Sequence, residues 1–194
     1  MYKLLFNIFP MLIEIKQQVL FVSNIISIYE KQKKSIPRYI QKAVIILEDK
    51  RFYSHPGFDL IAIFRSIIYN LYKDQKSGAS TIEQQLTRTL TMKKDRTIRR
   101  KILEIIVAKQ ISKKFDKETI LNCYIDCAYL GTGLTGCNNA SLKIYKKEYH
   151  HLNLEESFLI ASCLKYPIPK QFQKNWENKV QIRTSYGIHK VQNH

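Results

Sequence analysis

At 194 residues the chain is long enough to bury a core of its own, most simply as one domain. Only six Gly and five Pro, beside 45% apolar residues, argue against an extended low-complexity chain and for a compact fold rich in helix. The 32 Lys and Arg against 16 Asp and Glu make a surface for polyanions: nucleic acid, an anionic membrane leaflet or a pyrophosphate substrate. Charge alone does not choose among them.

Residues 1–29 are apolar but interrupted. Leu4 to Ile13 carries no charge, Glu14 and Lys16 intervene, and Gln17 to Tyr29 is uncharged again. Neither half reaches the roughly 20 residues of a spanning helix, and no small-residue cleavage site follows. The segment reads as an interfacial helix or a degraded anchor. From Ile36 onward the pattern is helical. Ile36, Ile40, Val44 and Leu47 share one face and lead into Glu48-Asp49-Lys50-Arg51-Phe52-Tyr53-Ser54-His55-Pro56-Gly57, where the Pro-Gly pair stops the helix. Asp59 is an N-cap for a second helix, with Leu60, Ile63, Phe64, Ile67, Ile68 and Leu71 at helical spacing. Ile61, Tyr69 and Tyr72 broaden that face enough to meet lipid as well as core.

Lys73 to Gly78 reads as a loop. Ser80-Thr81-Ile82-Glu83 is a capping box opening a third helix. A long helix is expected from about Arg96 to Lys114, and Asp116 caps the next, with Ile120, Leu121, Tyr124, Ile125 and Ala128 inward. Gly131 to Asn139 is a glycine-rich loop, and Asn153 with Glu156 caps a last strong helix closed by Pro167 and Pro169. No period-2 strands are visible, and the stretch after Pro169 shows no clear element. The four cysteines follow no metal spacing; buried free thiols are expected, and disulfides stay open.

Three stretches carry candidate chemistry. Glu48 and Asp49 place two carboxylates at a helix C-terminus, where the helix dipole opposes them, so stability alone would not choose that placement. Glu104 lies within Ile102 to Ala108 and shares a stripe with Arg100, Ala108 and Ile111. A carboxylate there must be paired or altered by burial, and a plain bridge to Arg100 is an equal reading. Gly78 ahead of a capped helix start offers backbone donors to an anion, with Gln84, Gln85 and Arg88 on the following turns.

Glu48 to Gly57, Gly78 to Gln85, Arg100 to Glu104 and Ile120 to Asp126 follow one another in this order. Together they resemble the motifs E-D-x-x-F-x-x-H-x-G, G-x-S-T-x-x-Q-Q, R-K-x-x-E and I-L-x-x-Y-x-N of the peptidoglycan glycosyltransferases, glycosyltransferase family 51. The likeness covers roughly residues 36–170, and four motifs in order make it specific. Three positions depart from it: Glu83 stands for a common Thr, Asn122 for Glu and Asp126 for Asn. Cys137 to Tyr145 keeps the outline without the usual Ala-Ala and Tyr-Phe-Gly.

The resemblance implies a mainly α, lysozyme-like glycosyltransferase domain over residues 36–175, after an apolar membrane-associated segment 1–35 and before a tail 176–194. It implies polymerisation of lipid II into glycan strands with release of polyprenyl pyrophosphate. Glu48 would be the general base, and Glu104 would act at the pyrophosphate side. Arg88, Arg100 and Lys101 would neutralise the leaving group. Asp49, Phe52, His55, Ser80, Thr81, Gln84 and Gln85 would shape the cleft, and Tyr124 would line the donor side. A divalent cation, Mg or Mn, is a candidate near Glu104. Expected partners are lipid II, the growing strand, the membrane surface and other cell-wall synthases, with no nucleic acid. The expected location is the bacterial inner membrane, catalytic domain outward. The remaining readings are a lytic glycan-cleaving enzyme on a related fold, an inactive divergent homologue and, least favoured, a basic nucleic-acid-binding module. Ser162-Cys163-Leu164-Lys165 and Lys76-Ser77-Gly78 match fragments of a transpeptidase set in the wrong order and read as chance.

Overall fold

The computed structural model describes residues 2–72, 78–93, 95, 97–171 and 173–193. The loop expected over Lys73–Gly78 therefore lies, up to residue 77, outside the described residues, as does Arg96 at the expected start of the long helix. The chain divides into two compact units: residues 1–33 with 53–120, and residues 34–52 with 121–194. The mainly α expectation is borne out.

The first unit is built on α1 (Tyr2–Lys31), α3 (Leu60–Tyr72), α4 (Ile82–Thr91) and α5 (Ile98–Lys114). Helix α1 is continuous, whereas the sequence suggested two short apolar runs. Glu14 splits the hydropathy but not the helix, because it forms ion pairs with Lys93 and Arg99. Gln18, Val22 and Ile26, one turn apart, are buried where α1 packs on α4 and α5. Phe9, Leu12, Ile13, Leu20, Phe21 and Ile28 stay exposed. Phe9–Lys31 is long and apolar enough to cross a membrane. Helix α3 starts as the sequence suggests, with Asp59 Oδ1 accepting from the Ala62 amide at 3.0 Å. Its apolar face is almost wholly uncovered: Leu60, Phe64, Ile67 and Leu71 are each more than half exposed.

The expected capping box on α4 does not form. Thr81, not Ser80, is the N-cap and accepts from the Gln84 amide, which puts Glu83 at the second helical position, too early to reach back. Glu83 turns inward to Lys117 instead.

The second unit holds α2 (Arg38–Glu48), most of α6 (Lys117–Cys127), a hairpin of β1 (Tyr129–Gly131) and β2 (Leu134–Thr135), α7 (Cys137–Tyr145), α8 (Leu154–Ser162) and α9 (Lys174–Gln192). The hairpin replaces part of the expected glycine-rich loop; strands of three and two residues cannot show a period of two. Gly131 is needed there, since at φ +155° an added Cβ would stand 2.4 Å from the Ile168 carbonyl oxygen. Helix α8 carries the full capping box expected of Asn153 and Glu156. Residues 174–192, where the sequence suggested no element, form α9. It packs on α8 and α2, with Gly187 set so closely that a Cβ would meet the Phe158 ring at 2.3 Å. The cysteines are free thiols, with Cys123, Cys137 and Cys163 buried.

Candidate active site

In the second unit, α2 delivers Glu48 on its last turn, and the chain turns there as the Phe52 amide bonds the Asp49 carbonyl. Asp49 is buried and Phe52 fully so, which anchors the turn below the Glu48 carboxylate. Glu48 is not a solvated helix end. Its side chain keeps 12% exposure and takes a 2.6 Å bond from the Arg183 guanidinium on α9. The sequence reading did not find Arg183; its partner lies 135 residues away. Tyr124 is buried in the core of α6 and contributes bulk rather than an open wall. The departures Asn122 and Asp126 have partners of their own, Gln41 at 2.7 Å and Lys34 at 3.2 Å.

The first unit carries the other candidates. His55 is buried, and its Nδ1 accepts from the Gly57 amide at 3.2 Å, which fixes the ring on the turn. Gly57, at φ +92°, lies so near the α5 backbone that a Cβ would fall 2.4 Å from the Ala108 oxygen. Thr81 ties this turn to α4 by donating its hydroxyl to the Gly57 carbonyl at 2.8 Å. Lys117 does the same from α6, reaching the His55 carbonyl at 2.8 Å and the Glu83 carboxylate at once. Lys117 is the second residue missing from the sequence reading. Burial raises the Glu83 pKa above the ordinary carboxylate value, and the Lys117 charge pulls it back.

Along α5, Glu104 is 3% exposed and stands 3.4 Å from Arg100 and 3.7 Å from Lys101. Both of its oxygens lack a hydrogen bond within the protein among the described residues, so the bridge to Arg100 exists but is not a tight pair. Lys101 is held from the α4 side, donating to Ser80 Oγ at 2.9 Å and to Gln84 Oε1 at 2.5 Å. Burial pushes the Lys101 ammonium down from the ordinary lysine value, against the opposing pull of Glu104. The Gln84 amide nitrogen and Arg100 Nε are buried and without an acceptor among the described residues. Arg88 and Gln85 lie half-buried on α4, and the Arg88 charge adds to the lowering of Lys101. Arg100 and Lys101 thus flank one carboxylate, Arg88 adds its charge near Lys101, and several buried polar atoms lack a partner among the described residues. This set of groups can hold an anion rich in oxygen. Ser162, by contrast, is fully buried with its hydroxyl donated to the Phe158 carbonyl, so it is no exposed nucleophile.

A mainly helical fold that carries the four motifs in order is the pattern of a glycosyltransferase class. The model of the transglycosylase family matches residues 26–192, and the chain belongs to that family. Penicillin-binding protein 1A of Rickettsia typhi is 33% identical over 161 residues, covering 81% of this chain and 20% of that protein. Penicillin-binding protein 1A of Aquifex aeolicus is 37% identical over 134 residues, 68% of this chain and 18% of its own length. Penicillin-binding protein 1F of Bacillus subtilis is 34% identical over 133 residues, 68% and 19% respectively. The chain thus spans about a fifth of the length of these relatives.

Proposed function

We propose that the chain is a peptidoglycan glycosyltransferase that polymerises lipid II and releases polyprenyl pyrophosphate. The acceptor hydroxyl attacks the anomeric carbon of the donor, Glu48 takes its proton, and the bond from that carbon to the diphosphate oxygen breaks. Arg100, Lys101 and Arg88 neutralise the charge that grows on the departing diphosphate. Glu104 orients the first two of these rather than meeting substrate itself. Asp49, Phe52, His55, Ser80, Thr81, Gln84 and Gln85 are the further motif residues assigned to substrate binding.

The observation that carries this reading is the Lys101 ammonium, held by Ser80 and Gln84 and paired with Glu104, beside buried polar atoms that lack partners among the described residues. Hydrolysis of a glycan generates no diphosphate and gains nothing from such a lining, which disfavours the lytic alternative. A divalent cation, Mg or Mn, fits here only with diphosphate oxygens completing its shell, because Glu104 supplies a single carboxylate beside two cations. Bound there, it would add positive charge at the leaving group. The departures at positions 83, 122 and 126 do not argue for an inactive homologue, since each is matched by a polar partner. The apolar faces of α1 and α3 suit a lipid surface, with α1 lying along its unit rather than crossing. The site of action that follows is the outer face of the bacterial inner membrane, alongside other cell-wall synthases. Nucleic acid is not an expected partner.

Labelled lipid II and preformed glycan strands, offered separately in detergent, test the proposal. Lengthening of the first with release of the lipid diphosphate is expected. Shortening of the second without any polymer would replace synthesis by lysis.

A further inference from the structure

We infer that Arg183 on α9 is a positioning residue that fixes the Glu48 carboxylate for proton abstraction; this rests on the proposed glycosyltransferase reading. One terminal nitrogen of Arg183 donates to two acceptors, the Leu47 carbonyl at 2.8 Å and Glu48 Oε1 at 2.6 Å. Leu47 lies in the last turn of α2, where backbone carbonyls have no partner further along the helix. The same guanidinium therefore caps the helix and holds the side chain that follows. Its Nε meets no acceptor among the described residues. The pair is little exposed, at 14% for Arg183 and 12% for Glu48, and a charged bond in such a place is short and directional.

The neighbours of Arg183 on α9 grip the same end of α2. Tyr186 accepts a 3.0 Å bond from Lys50, and Gly187 lets the helix close until a Cβ there would stand 3.0 Å from the Leu47 side chain. Buried Val180, Thr184 and Gly187 set the rotation of α9, which turns Arg183 toward Glu48. The charged bond to Oε1 restricts the rotation of the Glu48 carboxylate. A general base gains from that only if the fixed orientation is the reactive one. Arg183 thus acts on the reaction through Glu48.

The test compares wild type, Arg183→Gln, Arg183→Lys, Glu48→Gln and the double variant Glu48→Gln/Arg183→Gln in lipid II polymerisation, with melting curves on the same preparations. We expect Arg183→Gln to lower kcat at least tenfold with KM within twofold, and Arg183→Lys to recover part of the loss. The double variant should be no slower than Glu48→Gln alone, because both changes remove one function. Unchanged kcat, a raised KM at unchanged kcat, or multiplied losses in the double variant would overturn the inference. Should Arg183→Gln fail to fold, the Arg183→Lys kcat and its combination with Glu48→Gln decide by the same criteria. Amide hydrogen exchange supplies a readout that needs no activity: Asp49 and Phe52 should exchange faster in the folded Arg183 variants than in wild type. Unchanged exchange there rejects the positioning role. Wild type that shows the expected exchange contrast yet makes no polymer rejects the glycosyltransferase reading instead.

Discussion

Replacing Lys117 by Met should destabilise the protein through Glu83 more than through any contact Lys117 makes by itself. Glu83 has no exposed surface, and its second oxygen lacks a hydrogen bond among the described residues, so Lys117 is the main charge that compensates it, with a smaller contribution from His55. Removing one partner of a buried pair costs about 3–5 kcal/mol. The lost bond to the His55 carbonyl adds about 1 kcal/mol. In a chain of this size each kcal/mol moves the midpoint by roughly 2–4 °C, so Lys117→Met should melt on the order of 10 °C or more below wild type. The pH dependence has a definite sign. Glu83 has a folded pKa above the ordinary value of 4.5, so the folded state binds its proton more tightly. That contribution to stability is complete below 4.5 and is lost as pH rises through the folded value. Without Lys117 the folded value rises further, and the deficit of the variant should widen from pH 5 to pH 8. Adding Glu83→Gln should recover much of the loss and flatten its pH slope. Scanning calorimetry of the three proteins at both pH values checks this. A Lys117→Met protein melting within about 2 °C of wild type at pH 8 would refute the reasoning.

Four further outcomes follow from particular contacts. Glu104→Gln should leave the melting temperature nearly unchanged while polymer formation collapses, because its pairs at 3.4 and 3.7 Å are loose; a large fall in melting with proportionate activity in the folded fraction would return Glu104 to a structural role. Gly131→Ala should destabilise by more than about 1 kcal/mol, since the left-handed side of φ and the Ile168 oxygen both oppose a Cβ; equal chemical denaturation midpoints would contradict it. Burial pushes the Cys163 thiol up to about 12 and Cys137 higher still, so neither should react with a thiol reagent at pH 8 until the protein unfolds, as timed labelling and mass spectrometry would show. Residues 9 and 31, both exposed on α1, should be accessible from the same face of sealed vesicles, because α1 packs on α4 and α5; protection of one and not the other would make α1 a spanning helix.

What the sequence made legible was local. Helix α3 shows its apolar spacing and its Asp59 cap within fourteen consecutive positions, and Asn153 with Glu156 announces α8 by a bond spanning three residues. Helix α9 hides because its buried positions are Val180, Thr184 and Gly187. Two of these are not apolar side chains, and Gly187 is there for close approach to Phe158. Arg183 was invisible for the same reason that it matters: its acceptors lie on α2, far away in sequence. Glu83 misled the reading because S-T-I-E satisfies a capping pattern from either Ser80 or Thr81, and the choice depends on Lys101 claiming Ser80 and Lys117 claiming Glu83. Glu14 and Lys16 split the apolar run of the N-terminal segment, and the partners that let Glu14 sit within one helix, Lys93 and Arg99, lie about 80 residues further along the chain. The motifs themselves were readable, because their residues sit on single helices and turns.

The central claim is that Glu48 accepts the proton of the attacking hydroxyl. Initial rates of lipid II polymerisation by wild type and by Glu48→Gln, at matched circular dichroism, test it most directly. The account predicts polymer from wild type and a rate lower by about 10²–10⁴ in the variant. Near-normal polymerisation by folded Glu48→Gln would contradict it.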